Sequence, residues 1–353
     1  MLKRLKLKNF TVFADCNFSF SDSLNVIIGE NGSGKSHLIK IIYSLIAASA
    51  ESGKKFNLNP TEPTKNFLQK EYADKLVHVL RPEYLGRLAR RKQGRDRCEI
   101  ELEFSDGNLD CHLSFSTSSK SEVQIEKLPT KWQEKFPVFF PTRELLTIYP
   151  NFISIYENHY LEFEETYRDT CILLGALSLK GSREKIIAEM LAPLEEAMGG
   201  KVILDKNGRF YLYLPGQGSV EMPLVAEGLR KLAMVARLIS TGSLLDKGYL
   251  FWDEPETNLN PKLIKLIAKV ILNLSNNGIQ VFIATHSLFL LREIEVLSKN
   301  DQYKSLNQRY FSLNRDIETD GIEQGDTLDE IKSILILDEE LRQSDRYISG
   351  YYE

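Results

Sequence analysis

Cysteine is scarce: Cys16, Cys98, Cys111 and Cys171 are the only four in 353 residues, and none falls in a CxxC or Cys/His spacing. That excludes a zinc framework built on such spacings and suits a reducing cytoplasm. Long apolar runs are missing too. No stretch is long enough to cross a bilayer, the most apolar helical segment (38–50) is interrupted by Lys40, and the chain opens without a charged-then-apolar leader. The expectation is a soluble, cytoplasmic protein with no membrane partner. Charge of one sign is lacking as well, since 45 Lys and Arg stand against 49 Asp and Glu for a net −4. No global basic field therefore marks the chain for nucleic acid. Heptad repeats long enough for a coiled-coil arm are absent.

What is present is enough apolar sequence, 42%, for a sizeable core in one large α/β domain or two smaller ones. Residues 2–10 alternate, with Leu5 and Leu7 on one face and Arg4, Lys6 and Lys8 on the other, as a half-buried strand does. A second strand is expected at 18–20 and a short apolar third at 24–28. Gly29-Glu30-Asn31-Gly32-Ser33-Gly34-Lys35-Ser36 follows at once, matching GxxxxGK[ST], and leads into an amphipathic helix with Leu38, Ile39, Ile41, Ile42, Leu45 and Ile46. This strand, loop and helix context makes the motif specific. The glycines let the backbone wrap phosphates with its N–H groups pointing inward, Lys35 reaches the β- and γ-phosphates, and the Ser36 hydroxyl can bind Mg²⁺. Gly29, Asn31, Gly32, Ser33, Gly34, Lys35 and Ser36 are thus the expected nucleotide cradle. His37 joins it by position, although its imidazole, with those of His78, His112 and His159, is read as structural.

The second organising stretch is Tyr-Leu-Phe-Trp-Asp-Glu-Pro-Glu-Thr-Asn-Leu-Asn-Pro at 249–261. An apolar run ending in two acids reads as a buried strand that delivers Asp253 and Glu254 to its carboxyl edge, where open α/β sheets place ligands. Paired with a phosphate loop, Asp253 is expected to hold magnesium through water and Glu254 to polarise the attacking water as general base. A helix at 262–274 and a strand at 280–285 follow, and His286 at the end of that strand is expected to sense phosphate.

The rest of the chain is less specific. Residues 57–65 hold two prolines and read as a loop. Segments 98–104, 109–115 and 121–127 read as short antiparallel strands of a side sheet. Arg81, Arg87, Arg90, Arg91, Lys92, Arg95 and Arg97 crowd together against only Glu83 and Asp96, a patch able to meet a nucleic-acid backbone or simply to be solvated. Residues 137–141 read as a strand followed by Thr142-Arg143-Glu144, 152–198 as helical up to the Gly199-Gly200 stop, and 201–204 with 209–214 as a hairpin. Val225-Ala226-Glu227-Gly228-Leu229-Arg230-Lys231-Leu232 opens a helix that runs through Ile239. After His286 come a strand near 309–313, an acidic stretch at 316–330 and a terminal helix.

The order of these motifs resembles the ABC-type ATPase superfamily. The opening Leu-Lys-Leu-Lys-Asn-Phe and the Trp-Asp-Glu-Pro-Glu-Thr-Asn-Leu-Asn-Pro run are similar to its SMC/RecF/OLD-like, non-transporter branch, and the resemblance covers residues 1–50 and 220–295. It implies an α/β P-loop NTPase fold: an ABC-ATPase head with a mixed core sheet, an antiparallel side sheet and a helical lobe. Residues 1–353 would be one head, with 1–140 holding the phosphate loop and side sheet, 141–200 the helical lobe, and 201–353 the remaining motifs. By resemblance Asp253 is the Walker B acid, Glu254 the catalytic glutamate, 256–260 the D-loop with Asn258 at the nucleotide, and His286 the switch histidine. Ala226 and Gly228 take signature positions that meet the nucleotide of a second head. Lys35, Glu254 and His286 would carry catalysis on ATP, with Ser36 and Asp253 as the Mg²⁺ ligands.

A homodimer sandwiching two ATP molecules, or a higher oligomer, is implied in turn. Three departures stand out. Ala226 and Glu227 replace a serine and a glycine of the signature, which implies slow turnover. Only Gln69 offers itself as the Q-loop glutamine, and the coiled-coil arms of SMC proteins are missing. The resemblance extends to ATPase subunits of bacterial antiphage defence systems. It implies a sensor or regulator of a separately encoded nuclease or toxin effector, because neither a Toprim-type acidic set nor an HNH-like histidine cluster is seen. The alternative is a RecF-like DNA-binding repair ATPase acting through the Arg81 to Arg97 patch. A transporter subunit is a third class, opposed by the altered signature.

Overall fold

The computed structural model describes the chain except residues 56–61, 91–96, 160, 178–183, 243, 245–247, 315–321, 332–334 and 351–353. The first part runs β1 (Leu2–Phe10), β2 (Phe13–Ser19), β3 (Leu24–Gly29), α1 (Lys35–Lys55), α2 (Lys65–Leu80), β4 (Cys98–Phe104), β5 (Cys111–Phe115), β6 (Gln124–Lys127) and β7 (Pro137–Phe140). Three helices follow: α3 (Phe152–Asn158), α4 (Glu165–Leu174) and α5 (Glu184–Met198). Then come β8 (Lys201–Leu204), β9 (Phe210–Leu214), β10 (Gly218–Glu221), α6 (Glu227–Ser240), β11 (Tyr249–Asp253), α7 (Pro261–Asn276) and β12 (Gln280–Thr285). The last elements are α8 (Leu288–Ser298), β13 (Gln308–Leu313), β14 (Ile322–Gly325) and α9 (Leu335–Ser349).

These strands form three sheets. The central one has the order β14-β13-β3-β12-β11-β7 and is parallel except for β14, so it is the mixed core sheet expected. The second, β2-β1-β4-β5-β6, is antiparallel throughout, and β10-β9-β8 is a small antiparallel ribbon.

Every residue of β3, β11 and β12 is buried, and the reason is a layer on each face of the sheet. Leu250, Trp252, Val281 and Ile283 pack with α6, α7 and α8, whereas Tyr249, Phe251, Phe282 and Ala284 pack with α1, α2 and the antiparallel sheet. A strand covered on both sides has no polar face, which is why these segments read as apolar runs. The alternation also aims the chemistry, because Asp253 shares the parity of Tyr249 and Phe251 and therefore the side of α1. Gln280 ties the start of the chain to this sheet. Its buried amide accepts from Leu2 N (2.9 Å) and donates to the carbonyls of Leu2 and Ser21 (2.7 Å each).

The structure enlarges two expectations. The side sheet has five strands rather than three, since β1 and β2 belong to it and β2 begins at Phe13 rather than residue 18. Helix α2 occupies a stretch to which the sequence assigns no element; its buried face (Leu68, Tyr72, Leu76, Val79) is interrupted by Lys75, which hides the apolar stripe. Helix α8 was not anticipated, although Ser287 caps it by accepting from Leu290 N at 3.2 Å. Of the proline-containing loop, 57–61 lies outside the described residues.

Lys75 is only 4% exposed, yet three carboxylates surround it: Glu51 of α1 at 2.7 Å, and Glu165 and Asp169 of α4 at 3.1 and 3.0 Å. The Tyr43 hydroxyl donates to Asp169 at 2.6 Å. This cage joins α1, α2 and α4. Among the described residues no helix is long and apolar enough to cross a membrane.

Candidate nucleotide site

The site starts where β3 ends. Gly32 and Gly34 adopt φ of 79° and 99°, the left-handed region that glycine tolerates. A Cβ on Gly34 would lie 2.5 Å from Val12 Cγ2 and 2.7 Å from Phe13 Cζ, so the loop is pressed against the β1–β2 turn. Helix α1 carries no acid in its first turn, which keeps its positive end for an anion. Lys35 is buried and donates from Nζ to the carbonyls of Gly29 (2.7 Å) and Glu30 (2.9 Å). Burial holds its pKa below the usual lysine value although Glu254 and Asp253 pull the other way.

Across 217 residues of sequence, Ser36 Oγ donates to Asp253 Oδ1 at 3.0 Å. Burial pushes the Asp253 carboxyl up, with the Ser36 bond and Lys40 opposing. A hydroxyl and a carboxylate side by side are the hard oxygen donors that magnesium takes, and a carboxylate this buried gains from a cation. The residues therefore fit that ion.

Glu254 follows with φ of 47°, left-handed and unusual for a side chain of this size. Its N–H donates to Ala284 O (2.9 Å), its Oε2 accepts from Thr257 Oγ1 (3.2 Å), and its Oε1 lies 3.3 Å from His286 Nδ1. Glu256 is buried beneath. Its Oε1 accepts from Thr285 Oγ1 at 2.6 Å and from His286 N at 3.2 Å, and so fixes the end of β12 where the histidine sits.

The start of α6, expected to carry the signature, reaches the same edge. Ala226 occupies the N-cap of α6 without a side-chain capping bond, and Ala226 and Glu227 are exposed. Asn258, at φ of 64°, donates from Nδ2 to Glu227 Oε1 at 2.8 Å. Gly228 is required here, since a Cβ would stand 2.7 Å from Asn258 O. Lys231, fully inside, donates to the carbonyls of Glu254 (2.7 Å) and Thr257 (3.3 Å).

Gly29 to Ser36, Asp253, Glu254, Asn258 and His286 thus gather at one sheet edge. His37 lies on the first turn of α1 with an exposed side chain. Gln69 does not join them: it sits on α2, and its Nε2 donates to Val123 O at 3.0 Å, tying that helix to the antiparallel sheet. The loop after β7 is better placed, because β7 pairs with β11 and Glu144 forms an ion pair with Arg230 of α6 at 3.0 Å.

The four described arginines of the basic stretch each make a hydrogen bond within the protein. Arg81 donates to Leu161 O (3.3 Å), Arg87 to Glu83 (2.8 Å), Arg90 to Val12 O (3.0 Å) and Arg97 to Ser114 Oγ (3.1 Å). Arg91, Lys92 and Arg95 lie outside the described residues. Sequence reasoning missed Lys231, the Arg230–Glu144 pair, and the Lys40–Glu164 pair at 2.5 Å that joins α1 to the start of α4. The available signal was a lysine at a core position of an apolar helix face.

A phosphate loop after β3, an acid pair ending β11 and a histidine ending the strand between them are laid out on a fold like that of an SMC head. The chain belongs to the family described as "AAA domain, putative AbiEii toxin, Type IV TA system", whose profile matches residues 24–292. Its fold is similar to that of an SMC head crystallised with the C-winged helix domain of ScpA, at 13% identity and a TM-score of 0.54 over 92% of this chain and 96% of that one. The DNA replication and repair protein RecF of Bacillus cytotoxicus is 45% identical over 49 residues, 14% of this chain and 13% of the relative. RecF of Ligilactobacillus salivarius is 45% identical over 47 residues, 13% of this chain and 12% of the relative. These matches span about an eighth of the relatives' length.

Proposed function

We propose that this protein binds and hydrolyses ATP at the edge formed by β3, β12 and β11. The supporting observation is the meeting of Ser36 with Asp253 at 3.0 Å and of Glu254 with His286 at 3.3 Å in one phosphate-loop cleft. The loop N–H groups and the start of α1 receive the phosphates, and Lys35 exchanges its carbonyl partners for phosphate oxygens. Ser36 and Asp253 would hold magnesium, which supplies positive charge against the phosphates. Glu254 accepts a proton from the attacking water as the water oxygen bonds to the γ-phosphorus and the bond to the bridging oxygen breaks, releasing ADP and phosphate. His286, oriented by Glu254 and Glu256, donates toward the departing phosphoryl group.

Residues 1–353 act in this reading as one head that works as a pair in the cytoplasm, each α6 start completing the other head's site. Leu224, 75% exposed two residues before Ala226, is an apolar side chain that a second head would cover. The same chemistry serves as sensor or regulator of a separately encoded effector in an antiphage system. The family description, which names a toxin of a toxin–antitoxin system, supports that role by analogy. A RecF-like role in DNA repair is the second reading, supported by the 45% identity over 49 residues. It is weakened by the engagement of Arg81, Arg87, Arg90 and Arg97 within the protein.

The test compares Lys35→Ala and Glu254→Gln. Lys35→Ala is expected to abolish ATP binding, and Glu254→Gln to bind ATP, trap the paired heads and hydrolyse about 10²–10⁴-fold more slowly. Normal turnover by Glu254→Gln would overturn the assignment of the base. The protein trapped with ATP and purified from its own gene neighbourhood should carry a nuclease or toxin; salt-released DNA alone would favour the repair reading.

A further inference from the structure

Lys231 is 2% exposed, and no carboxylate oxygen lies within ion-pair distance of its ammonium among the described residues. Its two acceptors are neutral backbone carbonyls, those of Glu254 and Thr257, which open and close one turn. Bare packing does not explain this choice, because a methionine would fill the same volume on α6 without a charge to desolvate. Burial in fact lowers the lysine to about 8, against the pull of Glu256, Glu254, Asp253 and Glu227.

What the ammonium holds is the backbone of a residue in a sparsely populated conformation. Glu254, at φ of 47°, keeps that geometry only if its surroundings over-determine it. Its N–H is held by Ala284 O, and its carbonyl receives Thr257 N at 3.2 Å and Lys231 Nζ at 2.7 Å. The lysine bond is the shorter of the two and charge-assisted. It also comes from a different element: Lys231 stands one turn after Gly228, whose backbone is pressed on Asn258 O, and Glu227 accepts from Asn258. Helix α6 therefore grips both ends of the 254–257 turn and the residue after it.

We propose that Lys231 is a positioning residue for hydrolysis: it locks Glu254 in its left-handed conformation and so couples the start of α6, the part exposed to a second head, to the base of its own head. The inference rests on the reading of Glu254 as the base. It assigns the cross-head signal a physical path, in which displacement of the α6 start moves the donor that fixes the carboxylate 3.3 Å from His286.

The test uses the full chain with Lys231→Met, Lys231→Gln and Glu254→Gln, measured for binding of a fluorescent ATP analogue and for single-turnover hydrolysis of radiolabelled ATP. Lys231→Met is expected to bind the analogue within about threefold of wild type and to lose at least about tenfold in hydrolysis rate. Lys231→Gln, which keeps an N–H donor, should recover part of the rate; it also serves should the methionine variant fail to fold. Hydrolysis at the wild-type rate by both Lys231 variants, with Glu254→Gln inactive, sinks this inference and leaves the ATPase reading standing. Binding and hydrolysis falling together would reduce Lys231 to a fold-supporting role and also overturn it. Wild-type turnover by Glu254→Gln removes the base assignment and the inference with it.

Discussion

Two lysines are almost equally buried, Lys75 at 4% exposure and Lys231 at 2%, and they have opposite surroundings. Lys75 sits among three carboxylates, one of them the tyrosine-anchored Asp169, and those charges raise its pKa above the ordinary lysine value in spite of burial. Lys231 faces carbonyl dipoles, and burial lowers it to about 8. A buried charge with matched counter-charges holds elements together, whereas one without them is tolerated where it positions something else. The cage binds three helices to one another; the carbonyl grip serves one turn.

The largest test of this contrast is stability. Lys75→Met takes the cation from Glu51 and leaves Glu165 and Asp169 to Arg168, and we expect a loss of about 3–5 kcal/mol in urea unfolding. Lys231→Met removes a poorly solvated charge and should change stability at pH 7 by no more than about 1 kcal/mol. Equal losses in the two variants would erase the distinction. The reverse holds for function, where Lys75→Met protein that remains folded should turn over normally.

A smaller test uses pH, for which the signs differ. Between pH 8 and the unfolded-state value of about 10.4, the folded state binds fewer protons at Lys231 than the unfolded state does, so wild type gains stability relative to Lys231→Met as pH rises, by at most about 3 kcal/mol. Lys75, with a raised folded pKa, stabilises fully below about pH 10.4 and loses that contribution above it, as the unfolded lysine deprotonates first. Unfolding of wild type and both variants from pH 7.5 to 11 should show the two slopes. A falling slope for Lys231 would mean that its carbonyl partners act as counter-charges.

The smallest effect concerns the start of the helix that carries Lys231. Ala226 leaves α6 without a side-chain cap, so Ala226→Ser should add about 0.5–2 kcal/mol in thermal unfolding. No gain would mean that the exposed turn is already satisfied by solvent.

The same contrast explains how much was legible in the sequence. The runs 24–28, 249–253 and 280–285 lie in strands covered on both faces, so apolar composition and turn residues were enough to find them and the ends they present. Helix α7, expected at 262–274, starts by a local rule: Asn260 Oδ1 accepts from Leu263 N at 3.0 Å and Pro261 takes the first helical position. Elements whose logic is long-range stayed hidden. Helix α2 escaped because its core-facing Lys75 makes sense only beside Glu51, Glu165 and Asp169, brought in from two other helices. Lys231 escaped for the same reason, its acceptors being carbonyls that no side-chain pattern records. Gln69 was a composition-level choice, and its amide serves the α2–Val123 contact instead.

The strand order has a consequence for how the molecule comes into being. β3 has β12 and β13 as its neighbours in the sheet, and Leu2 is held by Gln280. The phosphate loop leaves the ribosome long before residues 280–313, and until they have been made the strand beneath it has no partner in the sheet. Local pieces such as the β1–β2 hairpin can form early, while closing so long a span is slow and keeps apolar surface waiting. The nucleotide cradle is thus translated well before the strands that complete it, so a chain interrupted ahead of them holds the motif without the means to use it.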